Sequence, residues 1–253
     1  MFDRTPGELL DLRRLTMPGL AGGEAEILIA ADRDYDADRH AAFEIQRAEA
    51  VLLVIDLQED FVRPDSPMWQ PEALRQLPRV GRLVEACRAL AVPVVFTAAT
   101  YLPQPLNDTP AYCRPVAEGR LRAGTPGTEI AAELEVRRRE QVIRTKHTYD
   151  AFFGTELDAL LRAWGIRTVI VCGTMTNYCC EATARSAFDR GYHVVFGSDV
   201  TSTDSALSHL ATLRTLRRGY ARVLPADTIV EALRGPDRLY EKAIAADPAG
   251  SER

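Results

Sequence analysis

Thr168-Val169-Ile170-Val171-Cys172-Gly173-Thr174-Met175-Thr176-Asn177-Tyr178-Cys179-Cys180-Glu181 is the stretch whose reading decides the fold. Its first five residues are mostly apolar and β-branched and of strand length, Gly173 punctuates them, and a segment rich in helix formers begins at Cys179. A thiol at such a junction meets the positive end of a helix dipole. A free thiol has a pKa of about 8.5, and a helix start with a nearby cation brings it to roughly 3.5–7.5. Cys179 therefore reads as a nucleophile, with a buried structural cysteine as the competing reading. Helical spacing separates it from its neighbour. Cys180, Ala184, Ala187 and Phe188 fall at i, i+4, i+7 and i+8, an apolar stripe facing a core, and Cys179 lies off that stripe.

Outward from this junction, strand and helix patterns alternate. Val51-Leu52-Leu53-Val54-Ile55 is a continuous apolar run, as expected for a parallel strand buried on both faces, and Asp56 closes it. Leu77, Val80, Leu83, Val84, Cys87 and Leu90 follow at helical spacing, which makes Cys87 a core residue. Strands are expected at 92–97, 141–144, 167–172, 193–197 and 222–224. A short helix is expected near 130–134, and longer ones at 157–164, after Cys179, and from about 204 to 217. Residues 102–126 read as irregular. The alternation predicts an α/β fold: a doubly wound, mainly parallel sheet with helices on both faces, a Rossmann-type three-layer sandwich.

Residues 1–48 read as an N-terminal extension. Thr5-Pro6-Gly7-Glu8 matches a capping box that starts a short helix near 6–16, and an acidic arm follows. Residues 49–240 form the catalytic domain and 241–253 a tail. At 253 residues and a net charge of −5 the chain has room for one large core and lacks the basic footprint of a nucleic-acid or anionic-membrane binder. Five cysteines without regular spacing suggest no disulfide framework, and no apolar stretch has signal-peptide or membrane-span length. A cytoplasmic protein acting on a small molecule is expected. Arg137-Arg138-Arg139 reads as a solvated helix end, and Leu57-Gln58-Glu59-Asp60 is no glycine-rich phosphate loop.

Ligands of open α/β sheets bind beyond the carboxyl ends of the strands. Asp56 and Lys146 end two strands and Cys179 follows a third, so an acid, a cation and a thiol are expected to converge. A thiolate attacks a carbonyl, a carboxylate takes the thiol proton and returns it to the leaving nitrogen, and an ammonium stabilises the thiolate. Backbone N–H groups of Thr174, Met175 and Cys179 are the candidates for stabilising the oxyanion. Tyr149, Phe152, Met175 and Tyr178 are candidates for an apolar wall.

These residues resemble the isochorismatase-like cysteine hydrolase superfamily over roughly residues 48–235. Asp56-Leu57-Gln58-Glu59-Asp60-Phe61 is similar to its Asp-x-Gln-x-x-Phe motif, and Lys146-His147-Thr148-Tyr149-Asp150-Ala151-Phe152 to its Lys-x-x-Tyr-x-Ala-Phe segment. Gly173 to Glu181 is similar to its Gly-Val-x-Thr-Asn-x-Cys-Val-Glu, with Thr174 and Cys180 in place of the usual Val residues. The resemblance implies an Asp56, Lys146, Cys179 triad, a thioester-type intermediate, a cis peptide between Thr174 and Met175, and a dimer or tetramer. It adds Gln58 and Asn177 to Tyr149, Phe152 and Tyr178 as substrate-binding candidates. The Asp-x-His metal segment of nicotinamidases is missing, and His40, His147, His193 and His209 are scattered, so no metal and no cofactor are expected. The motif around Cys179 favours hydrolysis of a carboxamide, ureido or N-carbamoyl C–N bond, as in the ureidoacrylate, N-carbamoylsarcosine and biuret amidohydrolase branch. The alternatives are a vinyl ether hydrolase using Asp56 and Lys146, and a ligand-binding homologue without catalysis.

Overall fold

The computed structural model of the protein describes residues 43–66, 68–102 and 114–235. The helix expected near 6–16, the acidic arm, His40 and the tail 241–253 lie outside the described residues. Chain order is β1 (Ala50–Ile55), α1 (Glu59–Val62), α2 (Pro71–Ala89), β2 (Val94–Thr97), α3 (Arg114–Ala117), β3 (Gln141–Ile143), α4 (Leu157–Ala163), β4 (Thr168–Thr174), α5 (Glu181–Asp189), β5 (His193–Ser202), α6 (Ala206–Gly219), β6 (Arg222–Leu224) and α7 (Ala226–Arg234). Among the described residues the sheet has six strands in the order β3-β2-β1-β4-β5-β6, every pairing parallel. The order reverses between β1 and β4. That is the switch point at which a crevice opens in a doubly wound sheet.

Alternation along β1 explains the three layers. Leu52 and Val54 pack with α2 and α7, while Val51, Leu53 and Ile55 pack with α4, α5 and α6. All six β1 residues are buried, so the run needs no polar face. Cys87 and Cys180 sit in opposite halves of this core, as their helical spacing predicts. Phe188 departs from its expected stripe: it is 40% exposed and meets Tyr220 edge-on.

Other boundaries shift for local reasons. β2 begins at Val94 because Pro93 has no N–H to donate to the ladder, although its carbonyl still accepts from Leu52. β5 runs past Gly197 to Ser202, since after a register shift Thr201 and Ser202 pair with Gly173 and Thr174. The helix expected at 130–134 is a single 3₁₀ turn, Ala132–Leu134. Arg137 to Arg139 lie in an exposed turn before β3 rather than at a helix end, and Arg137 pairs with Glu85.

β1 and β4 approach closely at their ends. Gly173 pairs with Ile55 at φ 123°, and a Cβ there would lie 2.1 Å from the Ile55 carbonyl oxygen. Only glycine fits. The two strands thus deliver Asp56 and the loop to Cys179 to the same place.

Candidate active site

Asp56 leaves β1 with φ 47°, in the left-handed region that aspartate tolerates better than most residues. Thr97, the last residue of β2, receives the Asp56 N–H on its Oγ1 at 3.2 Å and donates its hydroxyl to Asp56 Oδ1 at 2.6 Å. The second carboxylate oxygen faces Lys146, whose Nζ lies 2.6 Å from Oδ2. Lys146 stands three residues beyond β3, its carbonyl accepting from Thr100 N–H at the exit of β2. Its Nζ is also 3.3 Å from Cys179 Sγ. Acid, ammonium and thiol meet at the switch point, with Asp56 and Lys146 fully buried and Cys179 8% exposed.

Burial opposes the charge on Lys146, but the Asp56 carboxylate and the neighbouring Cys179 outweigh it and hold the ammonium above the ordinary lysine range. The thiol behaves differently from the expectation of a lowered pKa. Burial pushes Cys179 up to about 12; the Lys146 charge pulls it down, while repulsion from Asp56 and the hydrogen bond the thiol gives that carboxylate push it up again. A cation lowers a neighbouring thiol pKa only as far as its own counter-ion allows. Here Asp56 offsets the Lys146 charge, and the thiol stays above its ordinary range.

Cys179 also lies two residues before α5 and not within it. Thr176–Cys180 form a π-helical turn that runs into α5. The turn follows a cis peptide between Thr174 and Met175, and the Met175 carbonyl accepts from Tyr178 and Cys180 N–H. Thr174 Oγ1 donates to the Ser202 carbonyl at 3.3 Å, fastening the loop to β5.

The remaining sequence candidates divide. Tyr149 and Tyr178 are 45% and 43% exposed, with ring centroids 5.4 Å apart. Asn177 is turned toward Thr203, whose hydroxyl donates to its Oδ1 at 2.6 Å. Gln58 is enclosed instead. It is fully buried, donating from Nε2 to the Ala99 and Thr128 carbonyls and accepting from Ala99 N–H, each at 3.0 Å, so its amide clamps backbone. Phe152 is likewise a core residue, stacked on Tyr192. In both cases the motif spacing was legible, but burial was not.

Three residues outside the motifs shape the site. Thr97 orients Asp56, Gln76 of α2 donates to the Gly173 carbonyl at 3.0 Å, and His209 of α6 holds Thr176. Thr97 carried a usable signal, the polar close of a buried strand beside β1. Gln76 and His209 looked like ordinary helix residues.

The isochorismatase domain model matches residues 50–228, the whole sheet and the three converging side chains. This chain belongs to the isochorismatase family. It is 35% identical over 189 residues to Nicotinamidase 3 of Arabidopsis thaliana, covering 74% of this chain and 89% of that one. Among solved structures, a cysteine hydrolase from Pseudomonas syringae superposes with a TM-score of 0.72 at 25% identity, covering 76% of this chain and 95% of that one. The N-carbamoylsarcosine amidase of Thermoplasma acidophilum gives a TM-score of 0.61 at 27% identity, covering 71% and 97%. Among the described residues no three His, Cys, Asp or Glu side chains form a set that could hold a metal ion. Among them, too, no helix is long and apolar enough to cross a membrane.

Proposed function

We propose that this isochorismatase-family protein is a cysteine-dependent amidohydrolase that cleaves a C–N bond of a small carboxamide, ureido or N-carbamoyl compound through an acyl-Cys179 thioester. The observation that carries the reading is Lys146 Nζ in reach of both Asp56 Oδ2 and Cys179 Sγ, at 2.6 and 3.3 Å. The similarity to a nicotinamidase and an N-carbamoylsarcosine amidase supports the bond type.

With the thiol neutral at rest, attack and proton transfer are coupled. Cys179 gives its proton to Asp56 as Sγ bonds to the substrate carbonyl carbon, and Lys146 holds the charge that passes between them. The carbonyl electrons move to oxygen, where backbone N–H groups of the Thr174 to Cys179 loop receive them; losing one such donor typically costs about 10²–10³ in turnover. Collapse expels the nitrogen, which takes the proton from Asp56 and leaves as ammonia or an amine. Water then gives a proton to Asp56, attacks the thioester and releases the acid, while the proton returns to Sγ. A ureido substrate yields carbamate, which decays to ammonia and carbon dioxide.

The test is turnover of nicotinamide, N-carbamoylsarcosine and simple aliphatic carboxamides, read as ammonia release, by the wild type and by Cys179→Ala. Loss of release with the alanine variant, and a trapped acyl adduct on Cys179, are expected. Release undiminished in Cys179→Ala would end the nucleophile reading.

A further inference from the structure

Both ring nitrogens of the buried His209 are engaged. Nε2 lies 3.1 Å from the Ser198 carbonyl and Nδ1 lies 2.8 Å from Thr176 Oγ1. A carbonyl oxygen can only accept, so Nε2 carries the proton, Nδ1 is the bare acceptor, and the Thr176 hydroxyl donates to it. Burial favours this neutral ring, lowering its pKa to about 4. Thr176 is the first residue of the π-helical turn that carries Cys179. Two neighbours act on the same segment: Thr203 donates to Asn177 Oδ1 at 2.6 Å, and Thr212 of α6 donates to Glu181 Oε2 at 2.7 Å. The segment 176–181 is thus strapped by Thr203, just beyond β5, and by α6.

We infer that His209 is a positioning residue for the nucleophile: its neutral ring ties Thr176 to Ser198 and so sets the distance between Cys179 Sγ and Lys146 Nζ. This rests on the nucleophile reading of Cys179 and goes beyond it, because His209 touches none of the three converging side chains in any hydrogen bond described above. A displacement of about 1 Å at such a centre is enough to cost up to 10²-fold.

The probe is iodoacetamide, followed at Cys179 by peptide mass spectrometry at neutral pH and well below the unfolding temperature of each variant. The thiolate displaces iodide to form a thioether, so the rate reads how well Lys146 supports the charge on sulfur. His209→Leu is expected to slow labelling about 10-fold or more. Thr176→Val should do the same, and the double variant should be no slower than either single one. His209→Gln, whose amide offers one acceptor and one donor, should recover most of the rate. A merely structural histidine gives the opposite sign: its loss loosens the fold, exposes the thiol and speeds labelling. Faster or unchanged labelling, additive effects, or no recovery by glutamine would each overturn the inference. If His209→Leu does not fold, Thr176→Val and His209→Gln decide it. Failure of the hydrolase reading is separate, since it shows as ammonia release surviving in Cys179→Ala whatever the labelling rates.

Discussion

Thr97 holds Asp56 at two points, donating its hydroxyl to Oδ1 at 2.6 Å and receiving the aspartate N–H at 3.2 Å. The carboxylate is thereby turned so that Oδ2 faces Lys146 and the thiol. Thr97→Val keeps the shape but leaves a buried carboxylate oxygen short of a partner, at about 1–3 kcal/mol, while the Asp56 N–H retains the Thr97 carbonyl at 3.2 Å. The expected outcome is a lower midpoint in urea together with slower turnover, while Thr97→Ser stays close to the wild type in both. A valine variant with unchanged turnover would mean that Lys146 alone orients the acid.

The buried pair Lys146 and Asp56 gives a second, coupled prediction. Removing one member of such a pair strands the other charge, typically at about 3–5 kcal/mol, whereas removing both does not. Lys146→Met and Asp56→Asn should each destabilise the protein strongly, and the double variant by clearly less than their sum. All three should lack amide hydrolysis. Denaturant titrations arranged as a double-mutant cycle measure the coupling.

Much of this was legible in the sequence because strand and helix carry different periods. The unbroken apolar run 51–55 announced a strand buried on both faces, and the three-and-four spacing of Leu77 to Cys87 announced the helix covering one of them. Strand ends then placed Asp56, Lys146 and Cys179 beyond the carboxyl ends of the strands. What the pattern does not encode is burial at the site. Gln58 looked available to a ligand, and its amide is wholly taken by backbone. The thiol pKa was read from a helix end and a cation, whereas burial and the Asp56 charge reverse its direction. Thr203 and His209 lie 26 and 33 residues from the positions they hold, a separation no local pattern bridges.

Alkaline pH tests the neutral thiol. Cys179 and Cys87 are both raised from 9.0 to about 12, chiefly by burial, so between these values the unfolded chain has lost protons that the folded chain keeps. Stability therefore falls as pH rises through that window, at up to about 1.4 kcal/mol per unit for each such thiol, and is unaffected by them below it. Cys87→Ala should flatten part of the slope. Iodoacetamide labelling of Cys179 should climb steadily from pH 6 to 9 without a plateau. A plateau in the acid range would reveal a preformed thiolate and contradict proton transfer coupled to attack.

The close approach of β1 and β4 at their ends offers a sharp contrast between two glycines. At Gly173 an added Cβ would sit 2.1 Å from the Ile55 carbonyl oxygen and 2.6 Å from its nitrogen, at φ 123°. Backbone cannot yield there without moving Asp56, the next residue along. Gly173→Ala is expected to cost at least ~3 kcal/mol or to leave the protein insoluble, through steric overlap and an unfavourable backbone region together. Gly81, inside α2, has nothing within 4 Å of the corresponding Cβ. Gly81→Ala should instead stabilise the protein by about 0.5–1 kcal/mol, since alanine loses less backbone freedom in a helix. Thermal and urea unfolding of the two variants measure both signs, and a well-folded, active Gly173→Ala protein would show that the two strand ends are not held in this close approach.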